Sequence, residues 1–278
     1  MTTTAMSLTP VLPSSFQLAS DEVQIWRVRL DMPPQASAGL YATLTDDERN
    51  RSARFRFERD RQRFIVARGV LRELLGRYLR TDPGQIRFVY NAFGKPLLSP
   101  AFGNRVKFNL SHSADLALIA IAPHANVGID VEYIRAQPDY ADIARQFFSA
   151  AEVDHLNGLP SHLRPQAFFS CWTRKEAYVK AGGEGLAGDL DGRSSVDAAQ
   201  RWSLYTLKPA PDYVGALAVE GGGWRLTQWH WGPASPEPWA QPQEVEVETP
   251  VRIGRGEADV DAHIERELFA REVEPSQG

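Results

Sequence analysis

The chain has 278 residues, 43% of them hydrophobic and 24% charged, with a formal net charge of −4. These fractions exclude a collagenous, disulfide-scaffolded or disordered chain and argue against a bulk nucleic-acid binder. The longest apolar run, Leu116 to Ala122, is seven residues, far below the roughly 20 that a membrane span needs. The single cysteine, Cys171, rules out an intrachain disulfide and suits a reducing cytoplasm.

Residues 1–20 are rich in Ser, Thr and Pro and read as a flexible leader without a signal-peptide pattern. VQIWRVRL (23–30) predicts a strand, and Thr45 with Glu48 forms a capping-box pattern that opens a short helix. A longer helix is predicted over 58–79, where Phe64, Val70, Leu71, Leu74, Leu75 and Tyr78 recur at helical spacing. Between Arg49 and Arg80 stand eleven arginines against three acids, most of the arginines off that apolar stripe. This segment should meet something anionic, or at least form a positive surface. Short strands are predicted at 86–90, 106–110, 115–122 and 127–132. Pro123 and Asn126 mark a tight turn, so the last two strands are expected to pair as a hairpin.

The second half repeats this order. Ser149 and Glu152 form a second capping-box pattern, a long helix is predicted over 164–181 up to Gly182-Gly183, and strands follow at 201–208, 213–220 and 224–231. Helix followed by antiparallel strands, twice, predicts an α+β protein of two similar lobes. The expected divisions are a leader at 1–20, an N-terminal lobe at 21–125, a C-terminal lobe at 126–232, and a Pro-rich linker and acidic tail at 233–278. From Glu244 onward the tail holds ten acids against four arginines and no candidate site residue, so it is expected to be dispensable for chemistry. A helix around 262–273 that docks on one lobe is the competing reading.

Asp130 and Glu132 lie two apart in a predicted strand and so share a face, opposite Ile129 and Val131. They form either the wet face of an edge strand or a site for a hard divalent cation, which would relieve their mutual repulsion. Glu176 and Lys180, at i and i+4, make either a surface ion pair or part of a site, and Trp172 one turn earlier favours partial burial. Gly94-Lys95-Pro96 is a turn able to hold a lysine head near an anion, or an ordinary loop. His112, in Ser111-His112-Ser113 after the strand at 106–110, could bond a phosphate or cap the strand. No G-x-S-x-G elbow or P-loop is present. Only five of the 31 basic residues are lysines, and four of them lie in or beside these blocks.

Taken in order, GKPLLSP (94–100), FNLSHS (108–113), VGIDVE (127–132), FFSAAE (147–152) and WTRKEAYVKAGGEGL (172–186) resemble the surfactin-type 4′-phosphopantetheinyl transferases, in the W/KEA spelling. The upstream RNRSARFRFERDRQRF is similar to that family's basic segment, and the resemblance spans about 45–220. It implies a pseudo-twofold α+β fold of two related lobes with coenzyme A and Mg2+, or alternatively Mn2+, in the cleft between them. The implied reaction moves the phosphopantetheine arm of coenzyme A to a serine of an apo acyl or peptidyl carrier protein and releases 3′,5′-ADP. By the same resemblance Asp130, Glu132 and Glu176 would ligate the metal. Lys180 would contact the phosphates, Lys95 (with its turn partners Gly94 and Pro96) and His112 the phosphoadenosine end, and Arg51 the 3′-phosphate. Ser111 would lie in the phosphate-binding turn, and Glu152 would help hold metal-bound water. The doubled architecture favours a monomer. Two other classes stay open on sequence: a different Mg2+-dependent phosphotransferase or hydrolase, and a non-catalytic arginine-helix module that binds RNA or an acidic partner.

Overall fold

Two sheets packed face to face, each covered on its outer side by one long helix, form the body of the protein. The structure, a computed structural model, describes residues 16–135, 140–182, 202–232, 237–238 and 247–248. The elements in chain order begin with β1 (Glu22–Arg29), α1 (Pro34–Thr43), α2 (Asp46–Ser52), α3 (Glu58–Leu79), β2 (Phe88–Tyr90) and β3 (Pro96–Leu98). Next come β4 (Lys107–Ser113), β5 (Leu116–Ala122), β6 (Val127–Tyr133), α4 (Tyr140–Phe147), α5 (Ala150–Gly158) and α6 (Arg164–Gly182). The remaining strands are β7 (Trp202–Leu207), β8 (Tyr213–Glu220), β9 (Arg225–Trp231), β10 (Glu237–Pro238) and β11 (Val247–Glu248). Both predicted capping boxes are made, at Thr45/Glu48 and at Ser149/Glu152.

The first sheet has the order β10-β9-β1-β5-β4, the second β11-β7-β8-β6, and β2 pairs only with β3. Strand alternation divides the core into layers. Trp26, Val28, Ile119 and Ile121 turn outward onto α3, where Val66, Val70, Leu71 and Leu74 meet them. Val23, Ile25, Leu116 and Leu118 turn inward and pack against Ile129, Val131, Leu217 and Val219 of the second sheet. On its far side that sheet meets α6 through small residues, with Ala177 and Ala181 against Ala216 and Ala218. The result is an α/β/β/α stack. Among the described residues no helix is long and apolar enough to cross a membrane.

Three expectations change. The turn at Pro123–Asn126 does not close a hairpin: β5 pairs with β1 and β4, while β6 pairs with β8 in the facing sheet. A strand has only two edges, and both edges of β5 are taken, so the chain must cross over. β9, inside the stretch assigned to the second lobe, runs parallel to β1 in the first sheet, in register from Glu22↔Arg225 to Val28↔Trp231. The strand predicted over 106–110 runs on to Ser113, so Ser111 and His112 lie in β4 rather than after it. Of the tail, 237–238 pairs with β9 and 247–248 with β7, at the outer edges of both sheets. The expected leader up to residue 15, Gly183 and the candidate helix at 262–273 lie outside the described residues.

The arginine-rich segment is also not a uniform positive surface. Arg72 is 1% exposed, and its Nε donates to Glu48 Oε2 at 2.6 Å while its Nη1 donates to the Pro83 and Ile86 carbonyls. Arg68 Nε lies 2.7 Å from Glu48 Oε1. Burial opposes the charge on Glu48, but the Arg72 hydrogen bond and the Arg68 charge outweigh it and hold its pKa below the ordinary carboxyl value. A triad of this kind is costly to break, because the surviving charges stay buried. Glu48→Gln is therefore expected to lower stability by about 2–3 kcal/mol. A denaturant melt of that variant within 0.5 kcal/mol of the parent would show the triad to be inconsequential.

Candidate active site

The edge strands of the two sheets, β4 and β6, meet along one seam, and their join is made by side chains in place of a backbone ladder. Asn109 Oδ1 accepts from the Ile129 N–H at 2.8 Å, and Ser113 Oγ accepts from the Tyr133 N–H at 3.1 Å. Ser111 Oγ donates to Asp130 Oδ1 at 2.7 Å and Ser113 Oγ to Glu132 Oε2 at 2.7 Å. Three alternate polar residues of β4 thus face β6, while Ile129 and Val131 enter the core and Asp130 and Glu132 take the opposite face, as strand parity requires. Asn109 and Ser113 were not among the sequence candidates. The signal was the polar alternation within FNLSHS, which an ordinary edge strand would also show.

Helix α6 brings the cation. Lys180 Nζ lies 2.7 Å from Asp130 Oδ1, 3.3 Å from Ser111 Oγ and 3.9 Å from Glu176 Oε2. Glu176 is 7% exposed and Lys180 is half-buried, so Glu176–Lys180 is a partly buried pair and not the surface pair that the spacing alone allows. Burial works against the Lys180 charge, but Asp130 and then Glu176 outweigh it and hold its pKa above the ordinary lysine value. Glu132 shows the reverse. Burial and the neighbouring Asp130 charge raise its pKa, opposed by the Ser113 hydrogen bond.

A carboxyl whose pKa is raised by folding binds more protons in the folded than in the unfolded state, so stability falls as pH rises through that window. In EDTA, the protein is expected to lose about 1–2 kcal/mol from the ordinary carboxyl range upward toward neutrality through this group. Glu132→Gln should flatten that slope in thermal melts, and an unchanged slope would remove Glu132 from the account.

The other sequence candidates spread around this centre. Gly94 has φ +82°, the left-handed conformation that the β2–β3 turn needs, and Pro96 starts β3 opposite Tyr90. Asn91 Oδ1 organises the turn by accepting from the Phe93 and Lys95 N–H groups at 3.0 and 2.8 Å. The Lys95 ammonium has two of its three donors on backbone carbonyls. It donates to the Val127 carbonyl at 3.2 Å and to the Lys180 carbonyl. Burial, and then the Lys107 and Lys180 charges, bring its pKa down to about 8.

His112 lies on the α3 side of β4 and is exposed. Partial loss of water around the ring, then the charges of Lys180 and Arg63, push its pKa below the ordinary imidazole value, with Arg51 a smaller contributor of the same sign. Arg51, on α2, lies over the Phe64 ring. Arg51 thus supplies the fixed positive charge beside the acidic seam, and His112 a neutral hydrogen-bonding ring. Glu152 stands apart. It accepts from the Ser149 N–H and Oγ at 2.7 and 2.8 Å, lies 3.2 Å from Lys175 Nζ, and accepts from the Cys171 thiol. None of these partners belongs to the Asp130 group.

Among the described residues no three acidic, histidine or cysteine side chains are drawn together as a ready-made metal cage. One observation does fit a divalent cation. Asp130 Oδ2 is buried and has no hydrogen-bond partner, beside a second carboxylate whose ionised form is disfavoured. A hard cation completed by water and phosphate oxygens needs only one or two such carboxylates.

Comparison with known proteins gives this arrangement its setting. Residues 126–227 match the 4′-phosphopantetheinyl transferase superfamily, and residues 33–124 match the 4′-phosphopantetheinyl transferase N-terminal family. The chain is 41% identical over 228 residues to 4′-phosphopantetheinyl transferase HetI of Nostoc sp., covering 79% of this chain and 96% of that protein. It is 35% identical over 202 residues to 4′-phosphopantetheinyl transferase psf-1 of Bacillus pumilus, covering 63% and 84%. It is 32% identical over 209 residues to a phosphopantetheinyl transferase of Thraustochytrium sp., covering 68% and 71%. The chain belongs to the 4′-phosphopantetheinyl transferase superfamily, and its activity is the transfer of phosphopantetheine from coenzyme A to a carrier protein.

Proposed function

We propose that the β4–β6 seam is the transfer site, and that the chain is a surfactin-type enzyme of the W/KEA branch acting on an apo acyl or peptidyl carrier protein. The observation that carries this reading is Lys180 Nζ held 2.7 Å from a buried Asp130 whose second oxygen has no partner. Asp130, Glu132 and Glu176 would hold Mg2+, or Mn2+ in its place. Bound there, the ion would neutralise pyrophosphate charge as a Lewis acid. Lys180 adds a fixed positive charge beside the carboxylates, and Ser111 holds Asp130 in place. Arg51 by its charge and His112 by a ring N–H would take the 3′-phosphate of coenzyme A. The serine oxygen of the carrier forms a bond to the phosphorus that bears pantetheine, the bond from that phosphorus to 3′,5′-ADP breaks, and the serine proton leaves to a base. Glu176 is the candidate base by its place on α6. Glu152, tied to Ser149 and Lys175, would act on this group only from a distance. Work as a monomer in a reducing cytoplasm is part of the same proposal.

Incubation with coenzyme A, Mg2+ and an apo carrier protein, followed by intact mass spectrometry, tests the reading. The carrier should gain one phosphopantetheine. A nucleotide turned over without any carrier would point instead to another phosphotransferase, and acidic-partner binding without Mg2+ to a non-catalytic module. Within the reading, Arg51→Ala should raise KM for coenzyme A about ten-fold or more while sparing dephospho-coenzyme A, because a charge-assisted phosphate contact contributes about 1.5–3 kcal/mol. Equal losses for both substrates would make Arg51 part of a general positive field.

A further inference from the structure

Lys95 sits on the β2–β3 hairpin, which belongs to neither large sheet. Its ammonium reaches across to the second lobe, where its partners among the described residues are two backbone carbonyls, those of Val127 and Lys180. Val127 is the first residue of β6, three before Asp130, and Lys180 stands in the last turn of α6. The last four carbonyls of a helix have no partner within it, and a cation there is favoured by the helix dipole. The two carbonyls come within reach of one ammonium because β6 and α6 touch backbone to backbone at Gly128, where an added Cβ would lie 2.0 Å from the Ala177 oxygen and 2.3 Å from the Ala181 nitrogen. Lys95 therefore fastens the crossing point from which both ends of the Asp130–Lys180 pair extend, one along β6 and the other along a side chain of α6.

We infer that Lys95 is a positioning residue for phosphopantetheine transfer: bound to the Val127 and Lys180 carbonyls, it locks β6 to the end of α6 and so holds Lys180 against Asp130. This rests on the seam being the transfer site. It differs from a phosphate-contact role, in which the lysine head would bind substrate directly. A direct contact to the 3′-phosphate acts on KM for coenzyme A and is indifferent to dephospho-coenzyme A. A lock on the lobes acts on kcat with either substrate, because misplaced charges cost most in the transition state.

The test uses the full chain with Lys95→Met, which keeps the apolar stem and removes the charge, and Lys95→Arg, which keeps a donor. Each is measured by kcat and KM for both substrates, and by hydrogen exchange of the last turn of α6 without coenzyme A. Lys95→Met is expected to lower kcat about ten-fold or more, to shift the KM values for both substrates by less than about three-fold, and to speed exchange at 178–182 at least about ten-fold. Lys95→Arg should recover at least part of both the rate and the protection.

A ten-fold rise in KM for coenzyme A alone, with kcat kept, would overturn the inference and make Lys95 a phosphate ligand. So would unchanged exchange in the substrate-free Lys95→Met protein. Should Lys95→Met lose its global fold, Lys95→Arg carries the comparison, and parental exchange with a coenzyme A-specific KM rise would again overturn it. Failure of the parent chain to modify any carrier would instead sink the transfer-site reading, and the exchange experiment would still decide whether Lys95 fastens β6 to α6.

Discussion

Asp130→Asn is expected to lower kcat/KM at least about a thousand-fold and to leave a folded, somewhat less stable protein. The substitution keeps the shape and removes the charge at the one position that Ser111 and Lys180 share. Ser111 Oγ and Lys180 Nζ both bond Asp130 Oδ1, and Asp130 Oδ2 is the buried oxygen without a partner. Removing a single preorganised donor from an oxyanion site costs about 10²–10³-fold, which sets the scale for unseating Lys180 alone. Here the same change also removes the Asp130 charge, and the two effects belong to one unit and need not add.

The sequence suggests that loss of Asp130 would leave the fold nearly untouched, since it relieves repulsion with Glu132. The structure adds an opposing effect, because Asp130 is 3% exposed and is the nearest counter-charge of Lys180. Glu176 at 3.9 Å offers Lys180 only a weaker alternative. A loss of about 1–3 kcal/mol follows for a pair that solvent still partly reaches through the lysine. Adding Lys180→Met to Asp130→Asn should recover part of that stability and none of the activity. Turnover near the parental rate in Asp130→Asn would end the assignment of this seam as the transfer site.

Features with a local cause were legible in the sequence. The helix over 58–79 was readable because its apolar stripe is internal to it, and the capping boxes because Thr45–Glu48 and Ser149–Glu152 close within one turn. The shared face of Asp130 and Glu132 follows from strand parity alone. What escaped depends on partners distant in the chain. Arg68 and Arg72 read as anion-seeking until Glu48, some twenty residues earlier, is found buried against both. The β5–β6 hairpin looked natural until β1 and β4 were seen to occupy both edges of β5. Lys95 looked like a cation offered to a ligand, and its two carbonyl partners lie 32 and 85 residues onward. Ser113 stood inside FNLSHS without being singled out, because hydroxyls on an edge strand are ordinary until a carboxylate such as Glu132 lies across the seam.

Gly128 shows the same dependence most sharply, and Gly128→Ala is expected to cost about 3 kcal/mol or more and at least about a hundred-fold in kcat/KM. In VGIDVE the glycine precedes Asp130 by two positions and Glu132 by four, and the sequence alone offers no reason for it. In the fold its missing side chain is where α6 lies on β6. A Cβ there would sit 2.0 Å from the Ala177 oxygen, 2.3 Å from the Ala181 nitrogen and 2.9 Å from the Ala181 Cα. These are backbone atoms of a helix, so no rotamer change relieves the clash, and the helix itself must retreat. Overpacking of a tight core costs about 1–3 kcal/mol even when side chains can adjust, and here the retreat also opens the contact of Ala177 and Ala181 with Ala216 and Ala218. It would draw Lys180 away from Asp130 and its carbonyl away from Lys95, so stability and turnover should fall together. Gly215→Ala is the comparison: its Cβ would meet the Asp130 carbonyl oxygen at 2.8 Å and otherwise only side-chain atoms at 3.3 Å and beyond, a milder clash on the same strand pair. The expected order of Tm is parent, then Gly215→Ala, then Gly128→Ala. A Gly128→Ala protein that melts with the parent and transfers at the parental rate would mean that α6 does not press on β6 at this point, and that Lys180 reaches Asp130 by some other packing.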